Sequence, residues 1–196
     1  MVLTDKEIRE LCNNQKPLIS PFDENSLSSE SYDLSIENVI TIFKKEFKCI
    51  DISNQYDIDD MYEERTMKAN GYILSPKEYA LVHIRERVLL PDDITAHIRP
   101  RTRYTRLGLI VSDQHCNSSY EGNLKLGIFN ATDYAIRIVP GVKIAQIVFE
   151  ELKSIPTEEK LYRKKANAAY QNEEKFIGSV VEEKAKAIMN HILGVS

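Results

Sequence analysis

Residues 71–98, GYILSPKEYALVHIRERVLLPDDITAHI, hold four short apolar runs: GYILSP, EYALVHI, RVLLP and ITAHI. Each is rich in β-branched, aromatic or leucine side chains and stops at proline or polar punctuation, as successive strands do. The signal continues through GLIVS, NLKLGIF, YAIRIV and KIAQIVF, so strand patterns recur at short intervals from Gly71 to Glu150. Upstream, SYDLSI and NVITIF alternate as two further strands after the serine-rich loop ENSLSSES. Spacing of this kind predicts a mainly β fold, an antiparallel barrel or sandwich, with Pro140-Gly141 as one of its turns.

Helix signals flank the strands. Thr4, with Glu7 at the third helical position, predicts a capping box and a short helix beginning at Asp5. After Leu152 the chain becomes polar and Lys/Glu-rich, which divides it into a β domain over 1–152 and a tail over 153–196. In that tail Ser179 to Glu182 form a second capping box. Val181, Ala185, Ile188, Met189, Ile192 and Leu193 then recur at helical spacing, predicting a C-terminal amphipathic helix.

Composition narrows the function. The 196 residues carry 26 basic and 30 acidic side chains, a net charge of −4, so bulk electrostatics gives no reason to expect a nucleic-acid partner. No apolar run approaches the roughly 18 residues that span a bilayer, and MVLTDKEIRELC has no signal-peptide core, so a cytoplasmic protein without a membrane partner is expected. Cys12, Cys49 and Cys116 are scattered and odd in number, as reduced thiols are. None of His83, His97, His115 and His191 forms an i,i+4 pair, and His115-Cys116 lacks a C-x-x-C partner, so no zinc is expected. The zinc deaminase signature and the P-loop, G-x-S-x-G and Rossmann patterns are absent.

Two stretches stand out. HIRPRTRYTR, residues 97–106, packs His97, Arg99, Arg101, Arg103 and Arg106 into ten residues, either an anion site or a strand edge of solvated arginines. In YEGNLKLGIFN, residues 120–130, Leu124, Leu126 and Ile128 alternate with Lys125, Gly127 and Phe129. A glycine in mid-strand marks a bulge, a close backbone approach, or the loss of a working side chain.

Taken in order, SYDLSI, residues 71–98, the R-x-x-x-x-RLGL pattern of RPRTRYTRLGL, YEGNLKLGIFN and VPGVKIAQIVFE resemble the motifs of the dCTP deaminase branch of the trimeric dUTPase superfamily. LYRKKANAAYQNEEKFIGS is similar to that branch's C-terminal lid. The resemblance implies a distorted antiparallel β-barrel, the dUTPase-like β-clip, in a homotrimer whose active sites are built by neighbouring subunits. It implies a nucleotide site in which Arg106 and the Thr102 hydroxyl have catalytic roles, Arg101 and Gln146 bind the nucleotide, and the lid tyrosines Tyr162 and Tyr170 cover it.

It also exposes losses. The family's water-activating glutamate falls at Gly127, and the aspartate of related dUTPases falls at Asn117, which accepts no proton at neutral pH. A lid lysine falls at Ala169 and a lid glutamine at Glu173. Asp113 and Glu121 are the nearest carboxylates in sequence that could substitute, Glu121 reading first as a turn residue. Arg106, the glutamate's family partner, would need a new partner if buried, and Gly127 would leave a void beside Lys125 and Phe129. The implied activity is deamination of dCTP to dUTP and ammonia, with Mg²⁺ carried by the triphosphate. The alternative is a catalytically inactive nucleotide-binding or regulatory homologue. Hydrolysis of dUTP to release pyrophosphate lacks both the aspartate and an Arg/Gly-rich C-terminal motif.

Overall fold

The computed structural model describes residues 1–44, 49–165, 167–183 and 187. Its first helix, α1 (Asp5–Cys12), starts where the capping box places it: the Glu7 carboxylate accepts the Thr4 backbone N–H at 2.7 Å. Ile8 and Cys12 on its inner face join the core. The chain continues through β1 (Ile19–Ser20), β2 (Tyr32–Phe43), α2 (Gln55–Asp60), β3 (Tyr62–Thr66), β4 (Tyr72–Leu74), β5 (Tyr79–Leu89) and β6 (Ile94–Pro100). It then forms α3 (Thr102–Leu107), β7 (Leu109–Val111), β8 (Gln114–Cys116), β9 (Glu121–Asn130), β10 (Ile136–Ile138) and β11 (Lys143–Glu151).

One antiparallel sheet runs in the order β7-β9-β5-β2-β11-β6-β8, with β1 beside β5 and β3 beside β2; β4 and β10 pair separately. Strand β2 sets the shape. SYDLSI and NVITIF, expected as two strands, are one strand of 12 residues, because no turn residue separates them. Its Tyr32–Ser35 half pairs with β11, and its Ile40–Ile42 portion lies between β5 and β3, with a register shift between Ile36 and Ile40. Such irregularities increase local twist, and the sheet curls into the expected distorted antiparallel barrel. Its two ends approach where the Gln114 side chain donates to the Lys125 carbonyl at 2.9 Å.

Leu124, Leu126 and Ile128 of β9 are buried, as their alternation predicts. Burying one such side chain contributes about 1.5–3 kcal/mol. A slip of one residue would turn the buried row outward, so the register is firmly specified. Of the expected C-terminal amphipathic stripe, Val181 is buried, whereas Ala185, Ile188, Met189, Ile192 and Leu193 lie outside the described residues.

Candidate functional site

The chain after β11 returns to the turn between β8 and β9. The Arg163 N–H donates to Ser119 Oγ (3.1 Å), Gln171 donates to the Ser119 carbonyl (3.2 Å), and its side-chain oxygen accepts the Glu121 N–H (3.2 Å). Gly122 and Glu173 then form a parallel bridge, with the Asn123 N–H donating to the Glu173 carbonyl at 3.0 Å. The approach requires glycine, since a Cβ on Gly122 would meet the Tyr120 hydroxyl at 2.7 Å and the Glu173 nitrogen at 3.3 Å. Between turn and returning segment lies a cavity of about 500 Å³ whose walls include Asn117, Tyr120, Lys125, Tyr162, Tyr170 and Glu173.

A pair of oppositely charged side chains is enclosed there. The side chains of Lys125 and Glu173 are 7% and 6% exposed, with Nζ 4.0 Å from Oε1. Burial lowers the Lys125 ammonium below the usual lysine range and raises the Glu173 carboxyl above the usual carboxylate range, and the attraction between them opposes both shifts. Glu173 also accepts the Ile177 N–H at 2.8 Å. Opposite Lys125 in the β5–β9 register is His83, whose Nε2 is 2.9 Å from Thr41 Oγ1. Burial, and then the charge of Lys125, push its imidazole down to about 4. His83 is therefore neutral at pH 7, and its 3.8 Å approach to Glu64 is not an ion pair there. Cys116 also faces the cavity, but burial pushes its thiol up to about 12, so it offers no thiolate nucleophile near neutral pH.

The void expected beside Gly127 is absent. Gly127 pairs with Leu81 of β5, and two residues before Leu81 the side chain of Tyr79 swings into the available space. A Cβ on Gly127 would overlap the Tyr79 hydroxyl and lie 2.7 Å from its Cζ. The Tyr79 ring is stacked on Phe43, centroids 5.4 Å apart and planes 4° from parallel. Ser112 holds the Gly127 backbone, exchanging hydrogen bonds of 2.8 and 2.9 Å with it.

The sequence-derived site residues fall into two groups. Asn117, Tyr162 and Tyr170 line the cavity; Arg101, Thr102, Arg106 and Gln146 do not. Arg101 precedes α3, 3.2 Å from Asp33 Oδ2 and donating to the Lys143 carbonyl at 3.2 Å. Gln146 is the register partner of both Asp33 and Arg99. Thr102 and Arg106 are exposed, so the difficulty of a buried, partnerless Arg106 does not arise. Neither carboxylate nearest in sequence reaches the cavity wall: Asp113 is 71% exposed, 3.7 Å from Arg99, and Glu121 is 2.9 Å from Arg87.

A family model described as dCTP deaminase-like matches residues 2–152. The chain belongs to the dCTP deaminase-like family. It is 32% identical to a dUMP-forming dCTP deaminase of Persephonella marina over 154 residues, 78% of this chain and 85% of that protein. It is 34% identical to a dUMP-forming dCTP deaminase of Hydrogenobaculum sp. over 159 residues, 80% of this chain and 86% of the other. The fold matches the crystal structure of 2'-deoxycytidine 5'-triphosphate deaminase from Agrobacterium tumefaciens, with a TM-score of 0.62 and 21% identity. That match covers 76% of this chain and 48% of the other. In this dCTP deaminase-like chain, Tyr79, His83 and the enclosed position of Glu173 escape sequence reading, because each gains its meaning from strand register or chain return.

Proposed function

We propose that this chain binds a pyrimidine deoxynucleoside triphosphate, its base in the cavity between the β8–β9 turn and the returning C-terminal segment. Supporting this reading, the lid tyrosines Tyr162 and Tyr170 line that cavity, and the relatives are named for dCTP. Arg101 and Arg106 supply guanidinium groups suited to phosphate oxygens. Because they do not line the cavity of their own chain, a homotrimer with sites shared between neighbours would join the two groups. Mg²⁺ would arrive with the nucleotide, held through phosphate oxygens; among the described residues no three His, Cys, Asp or Glu side chains converge to hold a metal.

In this reading, residue 127 takes no part in proton transfer. The observation that carries it is Tyr79 packed into the space beside Gly127. The protein is thus a nucleotide-binding member of the family in which the inherited base has been replaced by packing.

Calorimetric titration with dCTP, dUTP and dTTP in the presence of Mg²⁺ tests the binding. At least one should bind, and Tyr162→Ala should weaken it by about tenfold, the size of one lost aromatic contact. Failure of all three to bind ends the reading. Mixing Arg106→Ala chains with Tyr162→Ala chains tests the shared site: a fraction of full-affinity sites should return.

A further inference from the structure

Among the described residues, the cavity wall carries one carboxyl group, that of Glu173, and one ammonium, that of Lys125. Glu173 is 5% exposed and fixed from several directions. Its backbone bridges Gly122, one Oε1 accepts the Ile177 N–H at 2.8 Å, and Lys125 Nζ lies 4.0 Å from that oxygen. Lys125 is itself held, donating to the Asn123 carbonyl at 2.9 Å. Lys125 and Gly127 occupy one face of β9, about 7 Å apart along the strand. A carboxyl from the C-terminal segment is therefore enclosed in the cavity beside Lys125, on the strand face that Gly127 shares and that Tyr79 fills at position 127.

We propose that Glu173, oriented by Lys125, is the proton acceptor of this cavity and supports hydrolytic deamination of a bound cytosine nucleotide. The proposal rests on the nucleotide-binding reading above. The Glu173 carboxylate takes a proton from water as the water oxygen bonds to C4, and the electron pair of the C4=N3 bond moves to N3. Glu173 returns that proton to N3, completing addition of water across the bond. The remaining hydroxyl proton passes through Glu173 to the exocyclic amino group, the C4–N4 bond breaks, ammonia leaves and C4=O forms. Cytosine and water become uracil and ammonia, and the carboxylate is regenerated. Lys125 is a positioning residue: its charge favours the ionised form of Glu173, the form that accepts a proton.

The test uses the full chain with dCTP and Mg²⁺, following ammonia release and, separately, dCTP binding by calorimetry. The wild type should release ammonia. Glu173→Gln should lower the rate by roughly 100-fold or more, the usual scale for a lost general base, with binding changed less than about threefold. Glu173→Asp, which keeps the carboxylate, should retain measurable turnover and guards against a folding defect in the first variant. Lys125→Met should move the acid limb of the pH–rate profile to higher pH, since removing the neighbouring cation raises the carboxyl further. If dCTP binds but the wild type releases no ammonia, or if Glu173→Gln is as fast as wild type, the assignment of Glu173 fails while the binding reading stands. If no nucleotide binds, both fail.

Discussion

The Tyr79 hydroxyl occupies the place where the side chain of residue 127 would begin. Adding even a methyl group at 127 must displace that ring from Phe43, and a stacked aromatic pair is worth about 0.5–1.5 kcal/mol. Gly127→Ala should therefore cost about 1 kcal/mol in urea unfolding. In a Tyr79→Ala background the same change should cost close to nothing, the signature of direct coupling in a double-mutant cycle. Equal costs in both backgrounds would show that Tyr79 is not the obstacle. It follows that the larger side chain of Gly127→Glu should not be accommodated unless Tyr79 is shortened as well.

His83 makes the fold acid-sensitive. Its folded value is depressed to about 4 from an ordinary 6.5, so between those pH values the unfolded chain takes up a proton that the folded chain refuses. Its stabilising effect is complete above pH 6.5 and is lost as pH falls toward 4, by on the order of 3 kcal/mol. His83→Gln should flatten the dependence of unfolding free energy on pH across that window. An unchanged slope would place the acid sensitivity elsewhere.

Gly122 is the point of β9 where the returning segment docks. Gly122→Val should push Tyr120 and Glu173 apart and release the segment from β9. Limited trypsin cleavage beyond Leu161 should then accelerate by at least about tenfold, equivalent to about 1.4 kcal/mol of lost docking. Cleavage at the wild-type rate would mean that the segment is held by other contacts.

Arg101 competes between Asp33 and any phosphate. Their separation is 3.2 Å, and both side chains are largely buried. Asp33→Asn removes the competing charge while the Lys143 carbonyl still orients the guanidinium. Triphosphate binding should tighten by roughly fivefold, about 1 kcal/mol. Calorimetry showing weaker binding would indicate that Asp33 is needed to aim Arg101.

The barrel was readable because its strands are apolar and alternating, and α1 because Thr4 and Glu7 announce its start. Three short strands, β1, β3 and β8, were not. YEERT of β3 carries three charges and no apolar run, and β8, with only three residues, is defined by its pairing with β6. TRYTRL of α3 read as part of a basic stretch, because a helix of six residues shows less than two turns of periodicity. At Gly127 the sequence predicts a void; that Tyr79 fills it depends on the β5–β9 register, which joins residues far apart in sequence. Glu173 likewise read as a changed lid residue; its burial beside Lys125 comes from the long-range bridge to Gly122.

The rings on the returning segment have a practical consequence. Phe176 meets Tyr62 edge-on at 5.0 Å, and Tyr162 meets Tyr120 at 5.7 Å, while the chain has no tryptophan and ten tyrosines. Near-ultraviolet circular dichroism of the unlabelled protein thus acts as a built-in optical gauge of how that segment packs, with no indole band to mask it.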